Sequence, residues 1–259
     1  MSPTQIDGPL IVAADLHGAC DQLHNLLDLL TAYGLHDGRH LIFLGDFCDG
    51  PDTASTIELL LRWQATHPAT SFLCGNHDLN LSKALGLVDS PHQAYYAARI
   101  PTRNTQTLKS YGAKDAPDLL AKMPQNHKDF LANLLWVVEH SDYVFVHAGL
   151  KPDEPYEEQI AKLRAKDTRQ FKPPWLYDTA LAWTIPPDTD KVIVSGHTIL
   201  RQPLVTDRRI LLDTGCGYGG SLTACLLPER LLIQVPPSLA KTKSYQGDRR
   251  PILENKNGC

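Results

Sequence analysis

Residues 45–52 read GDFCDGPD and come directly after the apolar run Leu41-Ile42-Phe43-Leu44. A run of four apolar residues that stops at glycine reads as a buried strand. The residues beyond it are unusual for a strand end, because Asp46 and Asp49 put two carboxylates three positions apart. Asp, Gly and Pro are turn formers, so a plain turn is one reading. A metal site is the other, since paired carboxylates suit hard or borderline divalent ions. The neighbouring strands have to decide.

Outward from this stretch, similar runs recur at Leu10–Ala14, Ser71–Cys74, Tyr143–Val146, Val192–Val194 and Ile210–Leu212. Helices separate the first three. Leu23, Leu26, Leu27 and Leu30 lie along one helical face, with Asp21 in the first turn and Gly34 at the stop. A second helix is expected over about 53–66, with Ser55 and Glu58 at capping-box spacing and Pro68 behind it. Strand, helix, strand, helix, strand predicts a parallel α/β core. Residues 79–140 read as a mainly helical insert, and 151–187, with two Pro-Pro pairs, as an irregular one. One domain over 1–235 is expected. Residues 236–259 are polar and turn-rich and read as a loosely held tail.

Each strand end carries similar chemistry. ADLHG gives Asp15 and His17; GNHD gives Asn76, His77 and Asp78; HAG gives His147; SGHT gives His197. Ligands of open α/β sheets bind beyond the carboxyl ends of the strands. Any one fragment is a weak signal, but turns have no need of histidine, and four of the eleven histidines fall in these motifs. The other seven (His24, His36, His40, His67, His92, His127 and His140) lack that setting and read as surface or helix residues. Carboxylate, imidazole and amide oxygen together suit divalent ions, and two ions about 3.5–4 Å apart can hold a phosphate and activate a water. No cysteine stands in a ligand position, which argues against structural zinc.

Bulk properties leave room for this. The net charge of −4 argues against a coat for nucleic acid or anionic membrane. No apolar stretch reaches membrane-span length, and MSPTQIDGPL lacks the pattern of a secretory signal. Six cysteines without a CxxC pair suggest buried thiols in a reducing, cytoplasmic setting.

Taken in order, ADLHG, GDFCDG, GNHD, HAG and SGHT resemble the phosphoprotein phosphatases of the calcineurin-like metallophosphoesterase superfamily, over about residues 10–230. YVFVHAGLKPDEPYEEQ and LLDTGCGYGG look like its bacterial members. The resemblance implies a four-layer α-β-β-α sandwich and two divalent ions, manganese first, with iron or zinc as alternatives. It implies that Asp15 and His17 hold one ion, that Asp46 bridges, and that Asn76, His147 and His197 complete the second. His77 would be the general acid and Asp49 its partner. The expected activity is hydrolysis of phosphomonoesters, phosphoserine or phosphothreonine in proteins. GNHDLNL also resembles the symmetrical dinucleoside tetraphosphatases, so a phosphoanhydride hydrolase is the alternative, and a non-catalytic scaffold of the same fold is a third. The family's Arg after the second Asp is missing, because Gly50 and Pro51 come directly after Asp49. Arg99, Arg103 and Arg201 are the candidate replacements for gripping substrate phosphate.

Overall fold

The computed structural model describes residues 5–237. The tail expected over 236–259 therefore lies outside the described residues beyond position 237.

In chain order the first half runs β1 (Leu10–Ala13), α1 (Cys20–Ala32), β2 (His40–Phe43), α2 (Thr53–Thr66), β3 (Thr70–Phe72) and α3 (Asn76–Ala84). Short helices come next: α4 (Gln93–Ala97), α5 (Ile100–Arg103), α6 (Thr105–Ser110), α7 (Ala116–Lys122) and α8 (Gln125–Asn133). Then come β4 (Val138–Glu139), β5 (Tyr143–Phe145), α9 (Tyr156–Ala165), α10 (Pro174–Tyr177), β6 (Val192–Ser195), β7 (Leu204–Val205), β8 (Arg209–Leu211), β9 (Leu222–Leu227) and β10 (Leu231–Val235).

The strands form two sheets, in the orders β10-β9-β1-β2-β3 and β4-β5-β6-β8-β7. The expected parallel core is present at each centre: β1-β2-β3 and β5-β6-β8 pair in parallel. Both sheets are mixed, because β9, β10, β4 and β7 add antiparallel pairs.

Side-chain alternation along the strands builds the layers. Leu10, Val12, Ile42 and Leu44 meet Phe145, Val194, Ile210 and Leu212 in one buried cluster between the sheets. Ile11, Ala13, Leu41 and Phe43 face the other way and pack with Leu23, Leu26, Leu30, Ile57 and Leu60 of α1 and α2. Val144, Val146 and Ile193 likewise share the helix-side core with Ile160 and Leu163 of α9. The result is the α/β sandwich of four layers. Each central side chain matters: Leu26 is wholly buried, and truncating such a residue to alanine costs roughly 2–5 kcal/mol.

Three local expectations change. Asp52, not Ser55, caps α2, its side chain accepting the Ser55 N–H at 3.4 Å. Glu58 reaches His127 instead, at 3.2 Å. That histidine is a helix residue of α8, as expected, and also bonds Tyr111, whereas His140 is buried just after β4 and is neither a surface nor a helix residue. Residues 151–187 are less irregular than their prolines suggest. The amphipathic α9 interrupts them, and Trp175 and Leu176 of α10 are buried. Pro174 sits at the first position of α10, where a missing N–H does no harm. No helix among the described residues is long and apolar enough to cross a membrane.

Candidate active site

The strand ends of both sheets converge. Asp46 is central. It is buried, and its backbone is left-handed (φ +51°), as at His17 (+43°), Asp49 (+67°) and His197 (+62°). Non-glycine residues in this region cost about 1–3 kcal/mol each and cluster at functional sites. The stretch GDFCDGPD is thus a turn and a site together: the turn aims the acids.

Asp46 Oδ2 lies 3.5 Å from His17 Nε2 and 3.5 Å from His147 Nε2. Its Oδ1 accepts the His77 N–H at 2.9 Å, which fixes the carboxylate plane. His17 Nδ1 is 3.2 Å from the Cys48 carbonyl and His147 Nδ1 is 2.9 Å from the Leu44 carbonyl. A carbonyl only accepts, so both Nδ1 atoms carry hydrogen and both Nε2 atoms are turned towards Asp46. That orientation by backbone is usual for metal-ligating histidine. His197 is turned the other way, with Nε2 donating to the Tyr177 carbonyl at 3.1 Å, so Nδ1 is its candidate ligand atom. Asn76 Oδ1 lies 3.2 Å from His147 Nε2.

Ligand atoms of His17, Asp46 and His77 lie within 4.8 Å of one another, and so do those of Asp46, His147 and His197. Asp46 belongs to both groups, as a bridging carboxylate should. Asp15 supplies a second sign. It is fully buried, and its Oδ2 accepts the His197 N–H at 3.0 Å, while its Oδ1 has no hydrogen-bond partner. Gly196 passes so close that a Cβ there would fall 1.9 Å from this oxygen. A buried carboxylate oxygen without a donor is costly unless a cation meets it.

Charge tells the same story. Burial, with Asp213 and Asp46 nearby, pushes the Asp15 carboxyl well above the ordinary range. Burial also opposes charge on Asp46, but His147, His77 and His17 hold it well below that range. At His147 burial disfavours the cation, yet Asp46 and Asp15 outweigh it and raise the imidazole to about 10. Carboxylates are calling in positive charge, and divalent ions would supply it. The donor set therefore fits two such ions, with oxygen and nitrogen ligands only.

Beside this centre stands a second unit. His77 Nδ1 lies 2.6 Å from Asp49 Oδ2. The other oxygen, Asp49 Oδ1, accepts from Asn104 Nδ2 and from Thr107 Oγ1, the latter at 3.2 Å. The Asp49 N–H donates back to Thr107 Oγ1 at 3.0 Å. Asn104 and Thr107 lie at the start of α6 and carry no motif in the sequence, so only the tertiary structure finds them. Two further residues sit inside recognisable motifs, but the sequence gives them no role. Asp78 of GNHD is fully buried and accepts the N–H groups of Phe47 (2.9 Å), Cys48 (3.2 Å) and Gly75 (2.9 Å), tying the two acidic loops together. Tyr218 of the GCGYGG stretch packs on His17, ring centroids 4.6 Å apart.

The candidate arginines divide. Arg99 is exposed and its guanidinium lies 3.8 Å from the Tyr95 ring centroid. Arg103 is exposed and immediately precedes Asn104, and Arg201 is exposed four residues past His197. At the deletion itself there is no room for a side chain. A Cβ on Gly50 would fall 1.3 Å from the His17 carbonyl oxygen. The close approach of Gly50 to His17 therefore requires glycine at this position.

Fold and site together define a phosphoesterase built around metal ligands, and the chain belongs to the calcineurin-like phosphoesterases, whose family model matches residues 8–226. Among relatives, the asymmetrical bis(5'-nucleosyl)-tetraphosphatase PrpE of Halalkalibacterium halodurans is 26% identical over 236 residues, covering 87% of this chain and 92% of that protein. The serine/threonine-protein phosphatase 4 catalytic subunit of Saccharomyces cerevisiae is 28% identical over 190 residues, 72% of this chain and 53% of that one. A solved structure of a putative diadenosine tetraphosphatase shares the fold, with a TM-score of 0.59 at 23% identity, over 91% of this chain and 98% of that chain. The superfamily expectation holds. The expectation of a protein phosphatase is not what these relatives favour.

Proposed function

We propose that this chain is a metal-dependent hydrolase of dinucleoside polyphosphates, cleaving a phosphoanhydride in a substrate such as diadenosine tetraphosphate. The observation that carries the reading is the span of relatives named as tetraphosphatases, which match along nearly the whole chain, around a site complete in ligand types.

Two divalent ions, when bound, neutralise the phosphate oxygens and supply an activated water. Asp15, His17, Asp46, Asn76, His147 and His197 would hold them. Asp46 would contact both, and the backbone carbonyls behind His17 and His147 keep their Nε2 atoms aimed inwards. His77 would deliver a proton from Nε2 to the leaving phosphate oxygen. Asp49, held from behind by Asn104 and Thr107, would fix the imidazole and balance its charge. Manganese is our first choice of ion.

The test is product analysis with the metal-replete protein. Diadenosine tetraphosphate should give either AMP and ATP or two ADP, at a kcat/KM at least about tenfold above that for a phosphoserine peptide. A phosphopeptide preference would return the chain to the protein phosphatase reading. Inactivity on both, with two ions bound, would support the scaffold.

A further inference from the structure

Outside the metal centre, one exposed aromatic strip is held in place from beneath. Phe171 and Tyr95 are 40% and 37% exposed, with ring centroids 4.8 Å apart and planes 70° to one another, edge to face. Beneath them the backbone is clamped. Lys83 of α3 is fully buried, and its ammonium donates to the Gln170 carbonyl at 2.5 Å and the Phe171 carbonyl at 3.2 Å. The Tyr96 hydroxyl donates to the same Phe171 carbonyl at 2.5 Å. A buried lysine is rare and costly. Here it holds rigid the segment that carries an exposed phenylalanine, which is how a preformed contact surface is built.

Two cations flank the rings. Arg99 lies on the Tyr95 face, and the Lys172 ammonium is 5.7 Å from the Phe171 centroid. Neither makes an ion pair among the described residues, so both charges are available to an anion. One residue, Tyr177, stands between the strip and the metal-ligand candidates. Lys172 lies 5.9 Å from the Tyr177 ring centroid, and the Tyr177 carbonyl accepts from His197 Nε2. Tyr177 in turn bonds Asn80 of α3, the helix that begins with Asn76 and His77. An exposed aromatic face with such cations, one residue removed from the candidate centre, matches one chemistry: a nucleobase joined to phosphates.

We propose that the Phe171 face stacks a nucleobase of the substrate, with the Tyr95 ring standing edge to face beside it, while Lys172 and Arg99 hold its phosphates, so that this strip selects nucleotides over plain phosphoesters. This rests on the reading of the centre as a nucleotide hydrolase. It also offers a substitute for the missing arginine, pairing Arg99, a candidate from the sequence, with Lys172, which no motif marks.

The experiment is calorimetric binding of ADP and of inorganic pyrophosphate to the full chain, loaded with manganese. The two ligands share the phosphates and differ by the nucleoside. ADP should bind about tenfold tighter, the gain expected of one stacked base. Phe171→Ala and Tyr95→Ala should remove most of that advantage, and Phe171→Trp should keep it. Tyr33→Ala, which deletes a remote aromatic side chain 73% exposed, should change nothing. Lys172→Ala should weaken both ligands alike. Equal affinity for ADP and pyrophosphate in the parent protein, or an ADP advantage that survives both alanine variants, would overturn the proposal. Binding is read without turnover, so a chain that fails to cleave diadenosine tetraphosphate yet shows the ADP advantage keeps the strip and loses only the proposed reaction.

Discussion

Replacing Asp49 with asparagine tests how the His77 proton is controlled, and the surroundings dictate what the amide will do. The Oδ1 position of Asp49 faces two donors, Asn104 Nδ2 and Thr107 Oγ1, while the Oδ2 position faces His77 Nδ1. In Asp49→Asn the amide oxygen must take the side of the donors. Its NH2 then meets His77 Nδ1 and demands an acceptor there. The imidazole is driven to the tautomer with hydrogen on Nε2 alone, and a charged ring has lost its anion. A charge-assisted hydrogen bond is worth about 1.5–3 kcal/mol, and about 1.4 kcal/mol is a factor of ten in rate. The expected loss in kcat is therefore about 10²-fold, the lower end of what a general acid contributes. It should be largest on an alkyl phosphate and smaller on p-nitrophenyl phosphate, whose leaving group needs little protonation. Metal content by elemental analysis should stay near that of the parent. The same geometry predicts a partial rescue. With Asn104→Asp added, the carboxylate introduced there accepts from the amide at position 49. That amide can then turn its oxygen to His77, and kcat should recover by about tenfold. Equal losses on alkyl and aryl substrates, or a double variant no better than Asp49→Asn alone, would refute the reasoning.

Asp46→Asn should lower the bound metal from two ions to one or none per chain and abolish turnover, because a neutral amide bridges poorly; elemental analysis after dialysis reads this directly. Asp78→Ala should lower stability by about 3 kcal/mol or more in urea unfolding, since it leaves three buried N–H groups without an acceptor. Gly50→Arg should fail to fold, its Cβ falling on the His17 carbonyl, whereas inserting Arg between Asp49 and Gly50 should fold and lower KM for p-nitrophenyl phosphate several-fold. A clean insertion with no change in KM would mean that an arginine after Asp49 does not govern affinity for phosphomonoesters here.

The strands and the metal-binding residue types are legible in the sequence because both are local signals. Leu41–Leu44 and Val192–Val194 announce buried strands, and Asp or His beside glycine marks the loop at each end. The cap of α2 is harder to place, because Asp52 and Ser55 are both good capping residues and propensity alone does not rank them. The helix α9 is hidden by the prolines around it. Asn104 and Thr107 leave no local trace, since their meaning lies in a contact with Asp49, 55 and 58 residues away. Substrate choice is the least legible of all. Phosphomonoesters and phosphoanhydrides are served by the same ligands, and the balance shifts only with the whole-length relatives.

The position of β1 has a consequence for how the protein is made. This strand lies between β2 and β9, with Leu10 opposite Leu227. A ribosome adding about 5–20 residues per second takes roughly 10–45 s to travel between those two positions. Throughout that interval the apolar segment LIVA can gain its parallel neighbour but keeps a bare edge on its other side. His147 and His197 also arrive late, so the nascent chain carries Asp15, His17 and Asp46 before the residues that would close the centre around them. Early domains of this kind depend on whatever shields a sticky edge during translation, and a message cut short before residue 222 would leave that edge exposed for good.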